Sequence, residues 1–164
     1  MSLTRSPRYL CEILLRYLGQ LNEAAIHEVG WRDFESHCAT VLEENGYRVL
    51  GNVWFRDETR RYQMDIVAVL LRRVICIDCK AWTKGGGSSR ARMAAQTQRE
   101  RTMKLKSVAI KGLPHPEEMS FFPMVVTLKS EDVVLHEGVA IVPFEMLNTF
   151  VVNFDSYEAE LFRA

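Results

Sequence analysis

The sequence predicts an α/β domain, a mixed β-sheet covered by helices. Three observations carry that expectation. Apolar residues recur at helical spacing over 31–45, and three short strand-like runs follow at 47–55, 61–70 and 73–82. A basic helical stretch over about 90–108 then separates these runs from two more, 121–128 and 138–144. Strands and helices interleaved in this order build a sheet with helices packed on it.

Each element has a local reason. Residues 7–26 place Leu10, Ile13, Leu14, Tyr17, Leu18 and Leu21 at helical spacing, with Pro7 suited to a first turn. Gly30 divides this helix from the one over 31–45, and Gly46 after Asn45 reads as its C-terminal cap. The polar "RDETR" at 56–60 separates the first two strands, and "TKGGGSSR" at 83–90 is a loop freed by three adjacent glycines. Pro143 stands near the start of a last short helix, "PFEMLNTF". At 164 residues the chain suits a single domain, 1–164. Residues 1–30 would form an N-terminal helical extension and 31–145 the core.

Composition narrows the functional classes. With 48% hydrophobic and 26% charged residues, the chain reads as an ordinary globular protein. No apolar run approaches the ~18 residues of a membrane span. The N-terminus lacks the pattern of a secretory signal. Cys11, Cys38, Cys76 and Cys79 do not form a disulfide framework, so a reducing cytoplasm is expected. Cys76 and Cys79 sit three apart on a strand and face opposite ways, which rules out a shared metal.

The net charge is zero, but its distribution is uneven. Eight basic residues lie between 84 and 111 against Glu100 alone, while 131–164 carries seven acids against Arg163. Such a basic segment is a surface for phosphates. Lys84, Arg90, Arg92, Gln96 and Arg99 are its candidate DNA contacts.

Chemistry concentrates in "QMDIVAVLLRRVICIDCK", residues 63–80. If Leu71 and Arg72 form a two-residue loop, paired residue numbers sum to 143, and Asp65 faces Asp78 with Lys80 two residues along the same face. A three-residue loop would slip the register and separate the two acids. Opposed carboxylates repel, and a single lysine leaves one of them uncompensated. A divalent cation accounts for both, since hard cations take carboxylate oxygens. On this reading, removing Asp78 relieves repulsion and stabilises the metal-free protein.

An acid in one strand ("MD", 64–65) followed by acid-x-Lys in the next ("DCK", 78–80) resembles the PD-(D/E)XK nuclease superfamily. With "WRDFESHCATVLEENGYRV" ahead of it, the pattern is most similar to the Mrr-type restriction endonuclease and archaeal Holliday junction resolvase branch. Met64 replaces that family's frequent Pro, and Asp78 stands where the branch often has Glu or Gln. The resemblance implies a restriction endonuclease-like α-β-β-β-α-β core and a metal-dependent DNA endonuclease using Mg²⁺ or Mn²⁺. Asp65 and Asp78 would ligate the metal, with the backbone carbonyl of Cys79 as a third ligand. Glu35, on the apolar face of its helix, would bind directly or through water. Lys80 would orient the attacking water or stabilise developing charge. Gln96 or Gln98 would contact the site or the backbone, or be solvated helix residues. Trp82 would stack on a nucleotide or close the core. The competing reading is a nuclease-fold module that binds DNA or acts as a scaffold without cleaving. The sequence leaves a homodimer open.

Overall fold

The computed structural model describes residues 31–82, 88–108, 110–113, 115–128 and 133–164. The expected helix over 7–26 and the glycine loop, with Lys84, lie outside the described residues. Helix α1 spans Trp31–Glu44 and buries Phe34, Cys38 and Leu42, one face at i, i+4 and i+8. It stops as expected at Gly46, whose φ of 84° is the left-handed conformation glycine tolerates. Gly46 N donates to Glu43 O (2.9 Å) and Tyr47 N to Leu42 O (3.1 Å), so the last carbonyls of the helix are satisfied. Buried Tyr47 leads the chain into the sheet.

Strands β1 (Arg48–Arg56), β2 (Arg61–Leu70) and β3 (Arg73–Lys80) form an antiparallel meander, and helix α2 (Ser88–Lys106) follows. Strand β4 (Ser120–Thr127) then runs parallel to β3. Strands β5 (Val134–His136) and β6 (Val139–Pro143) form a hairpin, with β6 parallel to β4. The sheet order is β1-β2-β3-β4-β6-β5, a mixed six-stranded sheet. Helices α3 (Phe144–Val152) and α4 (Phe154–Tyr157) close the described chain, with short 3₁₀ turns at Pro116–Glu118 and Glu158–Glu160. The α-β-β-β-α-β order is the one expected, but the strand β5 was not. It belongs to a tight turn at Glu137 and Gly138, both at positive φ (49° and 79°). A Cβ on Gly138 would come within 2.5 Å of Phe162 N, so this turn needs glycine there.

The sheet separates two apolar layers. Under α1 and α3 lie Phe34, Cys38, Leu42, Ile66, Ala68, Ile75, Ile77, Met124 and Phe150. Under the far end of α2 lie Met64, Val67, Val69, Val74, Cys76, Leu105 and Phe121. Near the start of α2, Ala95 packs on Val125, Val139 and Ile141. Helix α2 thus crosses the sheet from β6 and β4 towards β2.

Candidate active site

The β2–β3 hairpin turns through Leu71 and Arg72, with Leu71 at φ 54°. The register is the one a two-residue loop sets: Leu70↔Arg73, Val69↔Val74, Val67↔Cys76, Ile66↔Ile77. The regular ladder ends one pair short of the acids. In β2, Met64 joins the layer under α2 and Ile66 the layer under α1, so side-chain alternation breaks at Asp65. The β1–β2 ladder passes from Gly51↔Ile66 to Val53↔Met64, and the skipped Asn52 has φ 52°. Asp65 therefore sits at a kink shared by two strands, a place where a strand can re-aim a side chain.

At this kink the Cys79 N–H donates to Asp65 Oδ2 at 2.8 Å. A carboxylate has taken the position of a ladder carbonyl and lies against the Asp78–Cys79 peptide. Burial pushes the Asp65 carboxyl above its ordinary range. The Cys79 N–H counteracts that shift, the Asp78 charge reinforces it, and Lys80 and Arg101 pull the other way.

Asp78 is 5% exposed. Its Oδ2 lies 2.7 Å from Lys80 Nζ and its Oδ1 3.2 Å from Arg101 Nη1. The structure thus brings Asp65, Asp78 and Lys80 together and adds Arg101, which sequence reasoning missed. Of the two acids, Asp78 holds two cations, and Asp65 is the one whose charge the fold disfavours. Arg101 lies three residues after Gln98, on the same face of α2, and that spacing was the available signal.

Gln98 is fully buried, and its Nε2 donates to Cys76 O at 2.7 Å. Of the two glutamines left open by the sequence, Gln98 anchors α2 on β3 and Gln96 is exposed. The Oε1 of Gln98 and the Oγ1 of Thr127 are buried without a hydrogen-bond partner among the described residues.

Glu35 is half-buried beside Phe34 on α1, on the opposite face of the sheet from α2. Its charge is felt at Cys79, whose thiol is raised by hydrogen bonding with Cys38, then by burial and by the charges of Asp65 and Glu35. Among the described residues no three His, Cys, Asp or Glu side chains converge as a metal-binding group. Cys38, Cys76 and Cys79 are buried free thiols, and burial pushes Cys76 up to about 12. Trp82 is half-buried.

Arg90, Arg92 and Gln96 are exposed on α2. Arg92, Gln96 and Arg99 line a shallow hollow with His136 of β5 and Glu137 of the β5–β6 turn. Arg99 is already engaged, 3.2 Å from Glu137 Oε2 and stacked 4.2 Å over the Phe162 ring.

An α-β-β-β-α-β core with two strand acids and a lysine at the end of its central hairpin defines a nuclease-type α/β fold. The profile of the nuclease-related domain (NERD) matches residues 30–126, more than half of the chain. The chain belongs to that family. It is 28% identical over 131 residues to an uncharacterized protein of Archaeoglobus fulgidus, covering 79% of this chain and 95% of that one. Two solved structures resemble it more distantly. One is the protein of unknown function AF1548, at 16% identity and TM-score 0.49, over 76% of this chain and 65% of that one. The other is protein VC1899 from Vibrio cholerae, at 17% identity and TM-score 0.44, over 86% of this chain and 37% of that one. The chain spans less than two thirds of the length of either solved protein. Among the described residues, no helix is long and apolar enough to cross a membrane.

Proposed function

We propose that this domain is a divalent-metal-dependent DNA endonuclease, working by the chemistry of the Mrr-type and Holliday junction resolvase branch. The observation that carries the reading is Asp65, a half-buried carboxylate whose ionised form the fold disfavours, beside Asp78 and Lys80. Among the described residues its carboxylate receives one hydrogen bond, from Cys79 N to Oδ2. Two hard carboxylates, one of them, Asp65, in a setting that disfavours its charge, form a donor set suited to Mg²⁺ or Mn²⁺, which use one or two carboxylates plus waters and substrate phosphate. Asp65 and Asp78 would hold the ion, with the Cys79 carbonyl as a further oxygen, and Glu35 would act through water from the α1 side. When bound, the cation lowers the pKa of a coordinated water and neutralises phosphate charge.

The chain's own residues supply the rest. Lys80 sets an ammonium beside Asp78, where it can orient the attacking water and stabilise charge developing on the phosphoryl oxygens. Arg90 and Arg92, with Lys84, would hold the DNA backbone and give binding that falls steeply with salt. Gln96 and the Arg99 edge of the hollow would extend that track. Free buried thiols suit a reducing cytoplasm. A homodimer would be read from sedimentation with and without DNA.

One observation favours a non-cleaving scaffold: Asp78 is neutralised by Lys80 and Arg101 without any metal. Incubation with supercoiled, linear and four-way-junction DNA in Mg²⁺ or Mn²⁺ separates the two readings. Cleavage by the wild type, absent from Lys80→Ala, supports the nuclease. DNA binding with no cleavage in either metal favours the scaffold.

A further inference from the structure

We infer that Arg101 is a metal-displaced cap on Asp78 that becomes a phosphate clamp, a catalytic residue for the proposed reaction. The inference rests on the nuclease reading above. Asp78 is almost fully buried and both its oxygens are occupied, Oδ2 by Lys80 at 2.7 Å and Oδ1 by Arg101 at 3.2 Å. A cation that takes Asp78 must therefore claim an oxygen already held by a positive group.

The two holders are not equivalent. Lys80 makes the shorter contact from the next-but-one residue of the same strand, so its tether is short. Arg101 makes the longer contact and reaches across from α2; the two side chains are equally exposed (32%). Discharge is no way out, because guanidinium stays protonated throughout the working pH range. One holder must move, and Arg101 has the longer contact and comes from a different element, so it yields Oδ1 while Lys80 keeps Oδ2.

Its backbone will not follow it. Gln98, one turn earlier on α2, is fully buried and fixed to the Cys76 carbonyl at 2.7 Å. Thr102, the next residue, is also fully buried. Only the side chain swings, within a few ångströms of the carboxylates. A guanidinium held there matches a phosphodiester better than any other side chain, because its planar fork can donate two parallel hydrogen bonds to one phosphoryl group. The same residue would hold the site neutral before the metal enters and bind the substrate anion afterwards.

The two roles make opposite demands, and this gives the test. Mn²⁺ binding to the full chain is titrated by electron paramagnetic resonance for wild type and Arg101→Gln, and single-turnover cleavage of plasmid DNA is timed in parallel. Arg101→Gln should bind Mn²⁺ more tightly, by roughly three- to tenfold since the competing charge is gone. It should cleave more slowly by about 10²-fold or more, as expected on losing a donor to developing charge. Arg101→Lys, which keeps a positive charge but not the fork, should retain wild-type Mn²⁺ affinity and still cleave slowly, and it serves if the Gln variant folds poorly. A purely structural Arg101 would weaken metal binding and cleavage together. Unchanged or weaker Mn²⁺ affinity in Arg101→Gln, with a wild type that cleaves, overturns this inference and leaves the nuclease reading intact. A wild type that neither binds Mn²⁺ nor cleaves overturns both.

Discussion

Two acid–base clusters lie along the same face of α2, one turn apart, and they are built to opposite ends. At the β1–β2 turn, Asp57 Oδ1 accepts from Thr59 N (2.8 Å), Thr59 Oγ1 (2.6 Å) and Arg60 N (2.9 Å). Its Oδ2 accepts from Tyr62 Oη (2.9 Å) and from Lys104 Nζ. Lys104, Thr59 and the Arg60 N–H all favour the ionised form against the opposing effect of burial, and the carboxyl is driven well below its usual range, first by Lys104. At the β2–β3 kink, Asp65 has a single backbone donor, a neighbouring carboxylate and a half-buried setting, and its carboxyl is driven up. Asp57 is satisfied by protein and ties the hairpin tip to α2. Asp65 has its ionised form disfavoured, the property that the proposed metal site would use.

That contrast can be broken in several places. The largest effect belongs to Lys80→Ala, which should reduce metal-dependent cleavage by about 10²–10³-fold while DNA affinity changes little. A competition binding assay beside the cleavage time course separates the two quantities. Next comes Asp57→Ala, which should lower Tm more than any other change at the two clusters and leave cleavage by the remaining folded protein intact. Its contribution has a defined pH window. Because its carboxyl is depressed in the fold, the stability it supplies is present above the ordinary carboxylate value, ~3.9, and is lost as pH falls. The wild-type advantage over Asp57→Ala should therefore shrink on acidification.

Asp78→Ala should destabilise by about 1–2 kcal/mol, since it strands Lys80 and Arg101 beside an apolar layer. The figure is below the ~3–5 kcal/mol of a fully buried pair because both cations reach solvent. This reverses the gain expected from the sequence, and chemical denaturation in EDTA reads the sign directly. The smallest effect is at Asp65. Asp65→Asn keeps an acceptor for the Cys79 N–H and should match or slightly exceed the wild type in stability. Here the folded carboxyl is raised, so its contribution is full below ~3.9 and is lost as pH rises through the raised value. The variant's advantage should open with rising pH, the opposite trend from Asp57→Ala.

Much of this was legible in the residues. The two-residue loop at Leu71–Arg72 fixes the hairpin register, because strand side chains alternate with period two and a slip would flip every one of them. Gly46 ends α1 for a reason visible in the chain, the need for a left-handed residue after Asn45. Less legible was anything that depends on where α2 crosses the sheet. Arg101 reads as one basic residue among eight until Gln98 is seen pinned to Cys76 O, which aims that face of the helix at Asp78. Arg99, grouped with the DNA contacts by charge alone, also meets Glu137 and Phe162 from distant parts of the chain. The kink at Asp65 was also invisible, since it depends on Asn52 in the neighbouring strand. Strand β5 could have been found: "VVLHEGVAIV" places Glu-Gly between two short apolar runs, a two-residue hairpin signal.

The central claim is that Asp65, its carboxyl raised by burial, takes a cation that Asp57 does not need. Thermal unfolding of wild type, Asp57→Ala and Asp65→Asn across a Mn²⁺ series tests it most directly, since a ligand bound only by the folded state raises Tm with its concentration. The account predicts that Tm climbs with Mn²⁺ for wild type and Asp57→Ala and stays flat for Asp65→Asn. A flat wild-type response, or an equal rise in all three proteins, would contradict it.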